Sequence, residues 1–439
     1  MTGNWSRHAL TLAFYSLLLA ASHDIGCAQT APSAKQREEA DIREALGKII
    51  AEDPAHAAQA QKVLDALAQP EGSAEGRQAR NRRERGARRI VNGLPSRSHP
   101  AVGALLKGGT PQTAGLRCTG TLVGCDKFLT AAHCIAGDPA PRSYQVFFQE
   151  AGFFEVKAIQ WAPEIYQEDK VPYFDLAMLT LARPVEGIAP MPINTSVKPL
   201  NNSIATIVGF GRTGGMRRDP GMKREGTVKL AACPGKYADA SGLCWRFDAD
   251  VIADASASNT CNADSGGGIF MRDDQGARVV EKLFGVVSGG DARDCMTNDL
   301  AFNVDVFKYR DWIATAGEGR LSSAMCGNPI GGGQISPMLE TVSLTPGTPE
   351  ISFTVEAPEN ASALRVAMNA EGNGKRQNQF EFSVFRSNHT DAPEKTCKYT
   401  GAGPFAFCVI EKPSSGSWTI VVKRTEGEGQ AQITTLFVR

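Results

Sequence analysis

Cys261-Asn-Ala-Asp-Ser-Gly-Gly-Gly-Ile-Phe-Met271 places a hydroxyl between an acid and three consecutive glycines, with a cysteine upstream and an apolar run downstream. Glycines allow positive φ and let another backbone approach closely. Gly-Ser runs also occur in linkers, but a linker is not flanked by a cysteine and by Ile-Phe-Met. Ser265 therefore reads as a candidate nucleophile on a loop that enters a strand. Serine is a weak nucleophile at neutral pH and needs a neighbouring imidazole to take its proton; the imidazole in turn needs a carboxylate to orient it. Two partners are thus required elsewhere in the chain.

Histidine is scarce enough to narrow the choice. Of six, His8, His23 and His56 lie near the N-terminus, His99 and His389 lie far from any comparable motif, and His133 stands in Leu129-Thr-Ala-Ala-His-Cys134. Taken alone, a His beside a Cys suits a structural role equally well. Asp175, in Phe174-Asp-Leu-Ala-Met-Leu-Thr-Leu181, is a lone acid entering an apolar strand. That setting suits an orienting carboxylate, and also an ordinary turn acid.

The surrounding texture is that of a many-stranded antiparallel protein. Short apolar runs such as Val102–Leu106, Tyr144–Phe148, Leu176–Leu181 and Phe284–Val287 alternate with Gly, Pro and Asn. Tyr309–Ala316 has the pattern of a short helix. Residues 327–350 begin with Gly-Asn-Pro-Ile-Gly-Gly-Gly and read as a linker, followed by a second all-β unit over 351–439. Upstream, residues 1–28 carry an apolar core followed by Gly26-Cys27-Ala28, as expected of a secretory signal peptide. Residues 29–89 have the composition of a helical leader, with apolar residues three and four apart at Ile42, Leu46 and Ile49, and end in an Arg-rich run.

Composition bounds the function. Hydrophobic residues are 42% and charged residues 21%, ordinary for a globular chain, and Lys plus Arg and Asp plus Glu both number 47. A net charge of zero supplies no global attraction to nucleic acid or to an anionic membrane. No later apolar stretch is long enough for stable membrane insertion. Eleven cysteines become ten once Cys27 is removed with the signal, an even number suited to disulfides in a secreted (extracellular or periplasmic) protein. There is no CxxC pair or clustered His/Cys set, so neither a metal nor another cofactor is expected. Connectivity remains open at this level.

In the order His133, Asp175, Ser265, these motifs closely resemble those of the trypsin/chymotrypsin family of serine proteases, over a segment assigned to residues 90–326. The resemblance implies an all-β fold of two antiparallel six-stranded β-barrels. It also implies peptide-bond hydrolysis through an acyl-enzyme at Ser265, with His133 as base and Asp175 as orienting carboxylate. Arg89-Ile-Val-Asn-Gly93 resembles the family's activation junction. Cleavage after Arg89, by another protease or by the enzyme itself, would free the Ile90 amine to pair with Asp264, making residues 29–89 the propeptide of a zymogen. The backbone amides of Ala263 and Ser265 would form the oxyanion hole. Asn259, Ser288, Gly290 and Asp299 would bind substrate, Asp299 favouring Lys or Arg before the scissile bond, and Ser288 is also expected to touch Asp175. The disulfides implied are Cys118–Cys134, Cys233–Cys244 and Cys261–Cys295. Cys397–Cys408 is expected in the C-terminal unit, and the remaining Cys125 and Cys326 to bond with each other.

Two departures stand out. Position 263 is Ala where the family has Gly, and position 259 is Asn where trypsin-like members have Asp. The first opens an alternative to a protein- or peptide-cleaving enzyme: a binding or adhesion protein whose oxyanion hole is perturbed. Residues 351–439 resemble the pre-peptidase C-terminal β-sandwich of secreted bacterial proteases, on Phe353-Thr-Val-Glu356, Cys397, Cys408 and Gly416-Ser-Trp-Thr-Ile-Val-Val422. That resemblance implies a bacterial source.

Overall fold

Thr130 at the end of one strand is paired with Ala177 at the start of another, and this register places His133 and Asp175 on one rim. In the computed structural model the described residues are 90–108, 114–161, 174–215, 217–235, 237, 242–249, 257–274, 279–328, 338–372, 379–387, 397–399, 404–427 and 429–438. The expected signal peptide and propeptide, Arg89 included, lie outside them. The first barrel is closed. It comprises β2 (Val102–Lys107), β3 (Gly115–Gly124), β4 (Lys127–Thr130), β5 (Tyr144–Phe148), β6 (Gly152–Trp161) and β7 (Ala177–Leu181), in the spatial order β2-β3-β4-β7-β6-β5. Strands β4, β5 and β7 are buried along their whole length, which is why β5 and β7 read as largely apolar runs and not as alternating ones.

The second sheet contains β8 (Ile204–Gly209), β9 (Arg224–Lys229), β10 (Gly242–Phe247), β11 (Gly268–Asp274), β12 (Val279–Gly290) and β13 (Asp299–Asp305). Its order is β1-β9-β8-β11-β12-β13-β10, with the two-residue β1 (Leu94–Pro95) on the outer edge of β9. The six longer strands match the expected second barrel, but they do not close through a full ladder. Among the described residues a single bridge, Ala231 to Cys244, joins the two ends beside the Cys233–Cys244 disulfide. A covalent clip thus stands where strand pairing is nearly absent. Helix α1 (Arg310–Ala316) follows and buries Ile313 and Ala316 against the core.

Disulfides Cys118–Cys134, Cys125–Cys326, Cys233–Cys244 and Cys261–Cys295 are formed. Cys125–Cys326 closes a loop of 201 residues and so constrains the unfolded chain more than the other three. Cys408 is also disulfide-bonded. The side chain of Cys397, its expected partner, lies outside the described residues.

The C-terminal unit is two four-stranded sheets face to face. One contains β14 (Met338–Leu344), β16 (Ala363–Ala370), β19 (Phe405–Glu411) and β21 (Gly429–Val438); the other contains β15 (Glu350–Ala357), β17 (Gln379–Arg386), β18 (Cys397–Tyr399) and β20 (Gly416–Glu426). Strand β14 falls inside the stretch expected to be linker. Its Val342 and Leu344 are buried two residues apart and it pairs with β21 along all seven of its residues, a long-range pairing that the preceding Gly-rich run masks in the sequence.

The sandwich packs into the first two sheets. Phe405 lies 5.1 Å from Phe147 and 6.2 Å from Phe210 between ring centres, within one continuous apolar cluster. Around it runs a buried amide network. Gln149 Nε2 donates to Asn369 Oδ1 (3.0 Å), Asn369 Nδ2 to Gly221 O (3.0 Å), and Gln432 Nε2 to Lys223 O (2.9 Å). Arg224 Nη2 meets Glu371 Oε1 at 3.0 Å, with both side chains nearly excluded from solvent.

Candidate active site

His133 sits in a single 3₁₀ turn, Ala132–Cys134, directly after β4, and Asp175 lies two residues before β7. The carboxylate holds the histidine twice. His133 N donates to Asp175 Oδ1 at 2.8 Å, and Nδ1 lies 2.7 Å from Oδ2. Ser288 Oγ donates to the same Oδ2 at 2.6 Å, as the sequence led one to expect. Asp175 is fully buried. Burial alone would raise its pKa, but the charge on His133 and the hydrogen bonds from His133 and Ser288 outweigh it and hold the carboxyl below the ordinary value. An ionised Asp175 fixes the Nδ1–H tautomer and leaves Nε2 as the basic nitrogen.

Ser265 reaches the same site from the other sheet, three residues before β11. Its turn is wedged between the two sheets, since Thr119 N of β3 donates to Ser265 O (2.9 Å) and Gly266 N donates to Val287 O of β12 (2.7 Å). Gly266 has φ +83°, and a Cβ there would stand 2.1 Å from Thr130 Oγ1, so no other residue fits. Ser265 Oγ points to Ser288 O at 3.5 Å. Among the described hydrogen bonds none joins it to His133, though both side chains line one cavity. Such Ser–His bonds are commonly loose before substrate binds.

Ala263 adopts φ +78°, the left-handed region that its family position ordinarily fills with glycine. The turn is held open by Thr119 Oγ1, which donates to Ala263 O (2.9 Å), and by Arg212 N, which donates to Asn262 O (3.0 Å). Among the described hydrogen bonds the amides of Ala263 and Ser265 donate to nothing, leaving two N–H groups beside the nucleophile. Thr119 was not singled out in the sequence; its position next to Cys118 of the disulfide is the signal that would have found it.

Asp264 points the opposite way, into the protein. Its Oδ1 accepts from Gly211 N (2.7 Å) and its Oδ2 from Cys261 N (2.9 Å). Burial pushes its pKa up to about 7, with Arg224 and the two amides only partly offsetting that cost. Ile90 is buried, and the segment after it is docked by Asn259 N to Val91 O (3.0 Å) and Asn92 Nδ2 to Ala257 O (3.1 Å). The hydrogen bonds described for Asp264 do not include Ile90.

A recess of about 190 Å³ opens beside Ser265, lined by Val287, Ser288, Gly289, Gly290, Cys295 and Asp299 among others. Asp299 accepts from Asn259 Nδ2 (2.7 Å) and Ala292 N (2.8 Å), and burial raises its pKa. Asn259 was expected in the lining, but it is fully buried behind it. There it also donates to Cys295 O (2.9 Å) and accepts from Trp245 Nε1 (2.8 Å). Its part in the recess is to hold Asp299. Gly290 abuts that carboxylate so closely that an added Cβ would sit 2.7 Å from both oxygens. Cys118, His133 and Cys134 bring ligand-type atoms within 4.8 Å of one another, but the two sulfurs are joined in a disulfide and offer no thiolate to a metal.

A family model for trypsin matches residues 90–313. Trypsin of Saccharopolyspora erythraea is 31% identical over 191 residues, covering 40% of this chain and 75% of that protein. CLIP domain-containing serine protease B15 of Anopheles gambiae is 28% identical over 45% of this chain and 61% of its own length. The modular serine protease of Drosophila melanogaster is 26% identical, over 46% of this chain and 35% of its length. The chain therefore spans less than two thirds of each of these last two relatives.

Proposed function

The chain belongs to the trypsin family, and on that premise we propose that it is a serine endopeptidase whose acyl-enzyme forms on Ser265. The observation that carries this reading is the His133–Asp175–Ser288 network facing Ser265 beside two free amides. In the reaction Ser265 Oγ attacks the peptide carbonyl carbon while His133 Nε2 takes its proton. The carbonyl oxygen, now negative, receives hydrogen bonds from the amides of Ala263 and Ser265, each worth roughly 3 kcal/mol of barrier. His133 returns the proton to the leaving amine as the C–N bond breaks. Water then enters, gives a proton to His133 and cleaves the ester, restoring Ser265. Asp175 stays ionised throughout and stabilises the imidazolium.

The protein is made as a zymogen on this reading. In the intact chain Asp264 is a buried carboxylate whose neighbours compensate its charge incompletely, which is what its raised pKa expresses. A new ammonium at Ile90, released by cleavage after Arg89, would supply the missing charge and brace the turn carrying both oxyanion amides. Asp299, held at the wall of the recess by Asn259, would pair with Lys or Arg at the residue before the scissile bond. The leader and linker boundaries at 28, 89 and 326 belong to the same proposal. Four disulfides favour folding in an oxidising compartment outside the cytosol. Among the described residues no helix is long and apolar enough to cross a membrane.

A fluorophosphonate probe tests the core of this reading. The chain cut after Arg89 is expected to label stoichiometrically at Ser265, the uncut chain to label far more slowly, and Ser265→Ala not at all. A folded, cut chain that takes no label would instead support the binding-protein alternative.

A further inference from the structure

The cavity on the far side of Ser265 from the Asp299 recess is larger, about 860 Å³, and its chemistry is different. The two share Asn262 and Ser265 and otherwise diverge. A peptide whose residue before the scissile bond fills the Asp299 recess crosses Ser265 and continues past His133 and Cys118 into this second space. It is therefore the side of the leaving group.

Three arginines line it, Arg117, Arg212 and Arg218, and among the described residues its lining contains no carboxylate. Arg117 is exposed and braced by carbonyls alone, with Nε donating to Cys134 O (3.0 Å) and Nη2 to His133 O (3.1 Å). Arg212 Nη1 donates to Gly215 O (3.2 Å), and Arg218 is exposed. Three acids lie next to lining residues in the chain, and all face elsewhere. Asp264, between Ala263 and Ser265, accepts from Gly211 N and Cys261 N. Asp219 accepts from Thr213 through both carboxylate oxygens. Glu371 is turned to Arg224 and to Gln430 N. The C-terminal sandwich supplies part of the wall through Gly372 and Pro404, with Gly372 N donating to Pro220 O at 2.7 Å. A protein wall on that side reduces solvent access and so strengthens whatever charge the arginines present.

We propose that this chamber binds acidic residues on the C-terminal side of the scissile bond, so that the preferred substrates carry Asp or Glu in the two or three positions after the cleaved peptide bond. The inference rests on the endopeptidase reading and deepens it. Carboxylates placed there meet two guanidinium groups already held in position by main-chain carbonyls, those of Arg117 and Arg212, and the exposed Arg218 beside them, which suits charge-assisted hydrogen bonding. Lys or Arg in the same positions meets like charge.

The full chain cut after Arg89 is assayed on peptides with a constant N-terminal half and with Asp, Glu, Ala or Lys at each of the first three positions after the scissile bond. A parallel substrate carries a small chromogenic amide and no residue beyond the bond. The expected result is a kcat/KM roughly tenfold higher for acidic than for Lys-containing peptides, narrowing as salt is raised. Arg218→Glu and Arg117→Glu should each diminish that ratio, and the double variant should invert it. A flat or basic preference together with turnover of the chromogenic amide overturns the inference and leaves the peptidase reading standing. No turnover of either substrate removes the peptidase reading and this inference with it.

Discussion

Asp175 and Asp264 are both carboxylates removed from water, about 90 residues apart in the chain and brought to either side of one nucleophile. Their environments drive them in opposite directions. Asp175 meets an imidazole that accepts positive charge, a serine hydroxyl and a backbone amide, and its pKa falls. Asp264 meets two amides in a cradle formed by Gly209 and Gly211, with Arg224 acting only at a distance, and its pKa rises to about 7. Burial sets the cost in both cases; the neighbouring charge decides the sign. One acid has its charge compensated by its neighbours, and the other only in part.

Removing the charge of Asp175 should have the largest effect. Asp175→Asn keeps the shape but presents the wrong hydrogen-bonding partner to Nδ1, and kcat on a peptide amide should fall on the order of 10⁴-fold. A drop of less than tenfold would deny Asp175 its orienting role.

Next comes the cation that Asp264 feels from afar. Arg224 also donates to Gly211 O (3.2 Å), whose residue in turn donates to Asp264, while its other end is paired with Glu371. Glu371→Gln leaves a buried guanidinium without its counter-charge and should cost about 3–5 kcal/mol in denaturant unfolding. It should also draw the Asp264 pKa downward, because the Arg224 field is no longer shared. An unchanged stability would mean that the sandwich is not held by this pair.

Asp264→Asn should separate the two acids by pH. The folded, uncut chain holds a proton on Asp264 that the unfolded chain releases near its ordinary value of 3.8. Its contribution to stability is therefore greatest below about pH 4 and is lost as pH rises to about 7. Asp264→Asn should flatten that slope in thermal unfolding of the uncut chain. Asp175 works in reverse: its lowered pKa adds stability above 3.8 that is lost as pH falls through the folded value. In the cut chain Asp264→Asn should also reduce kcat by about 10²–10³, the effect of a misplaced oxyanion donor. A slope that survives the substitution would place the proton elsewhere.

The smallest effect concerns the residue just before Asp264. Ala263→Gly relieves a Cβ at φ +78° but gives the unfolded chain more freedom, so a gain of about 1 kcal/mol or less is expected, read as a rise in thermal midpoint. A fall of similar size would show that Ala263 is not strained.

The site residues were legible because each sits in a short local pattern: an acid-hydroxyl-glycine turn, a His beside a Cys, an acid at the head of an apolar strand. Strand runs were legible for the same reason. What escaped depends on partners that lie outside any local pattern in the chain. Asn259 reads as a pocket residue until Trp245 and Cys295 enclose it. Strand β14 reads as linker until β21 pairs with it. Arg117, Arg212 and Arg218 read as scattered surface charges until the fold collects them around one cavity.

Residue chemistry and local spacing alone determined that this chain carries a serine, a histidine and an aspartate fit for nucleophilic catalysis within a disulfide-bonded β protein. Tertiary structure decided the electrostatics, because a charge in a dry interior is governed by whatever packing brings within a few ångströms. Packing gave Asp175 an imidazole, left the charge of Asp264 only partly compensated, and set the C-terminal sandwich at the wall of the cavity that holds the nucleophile.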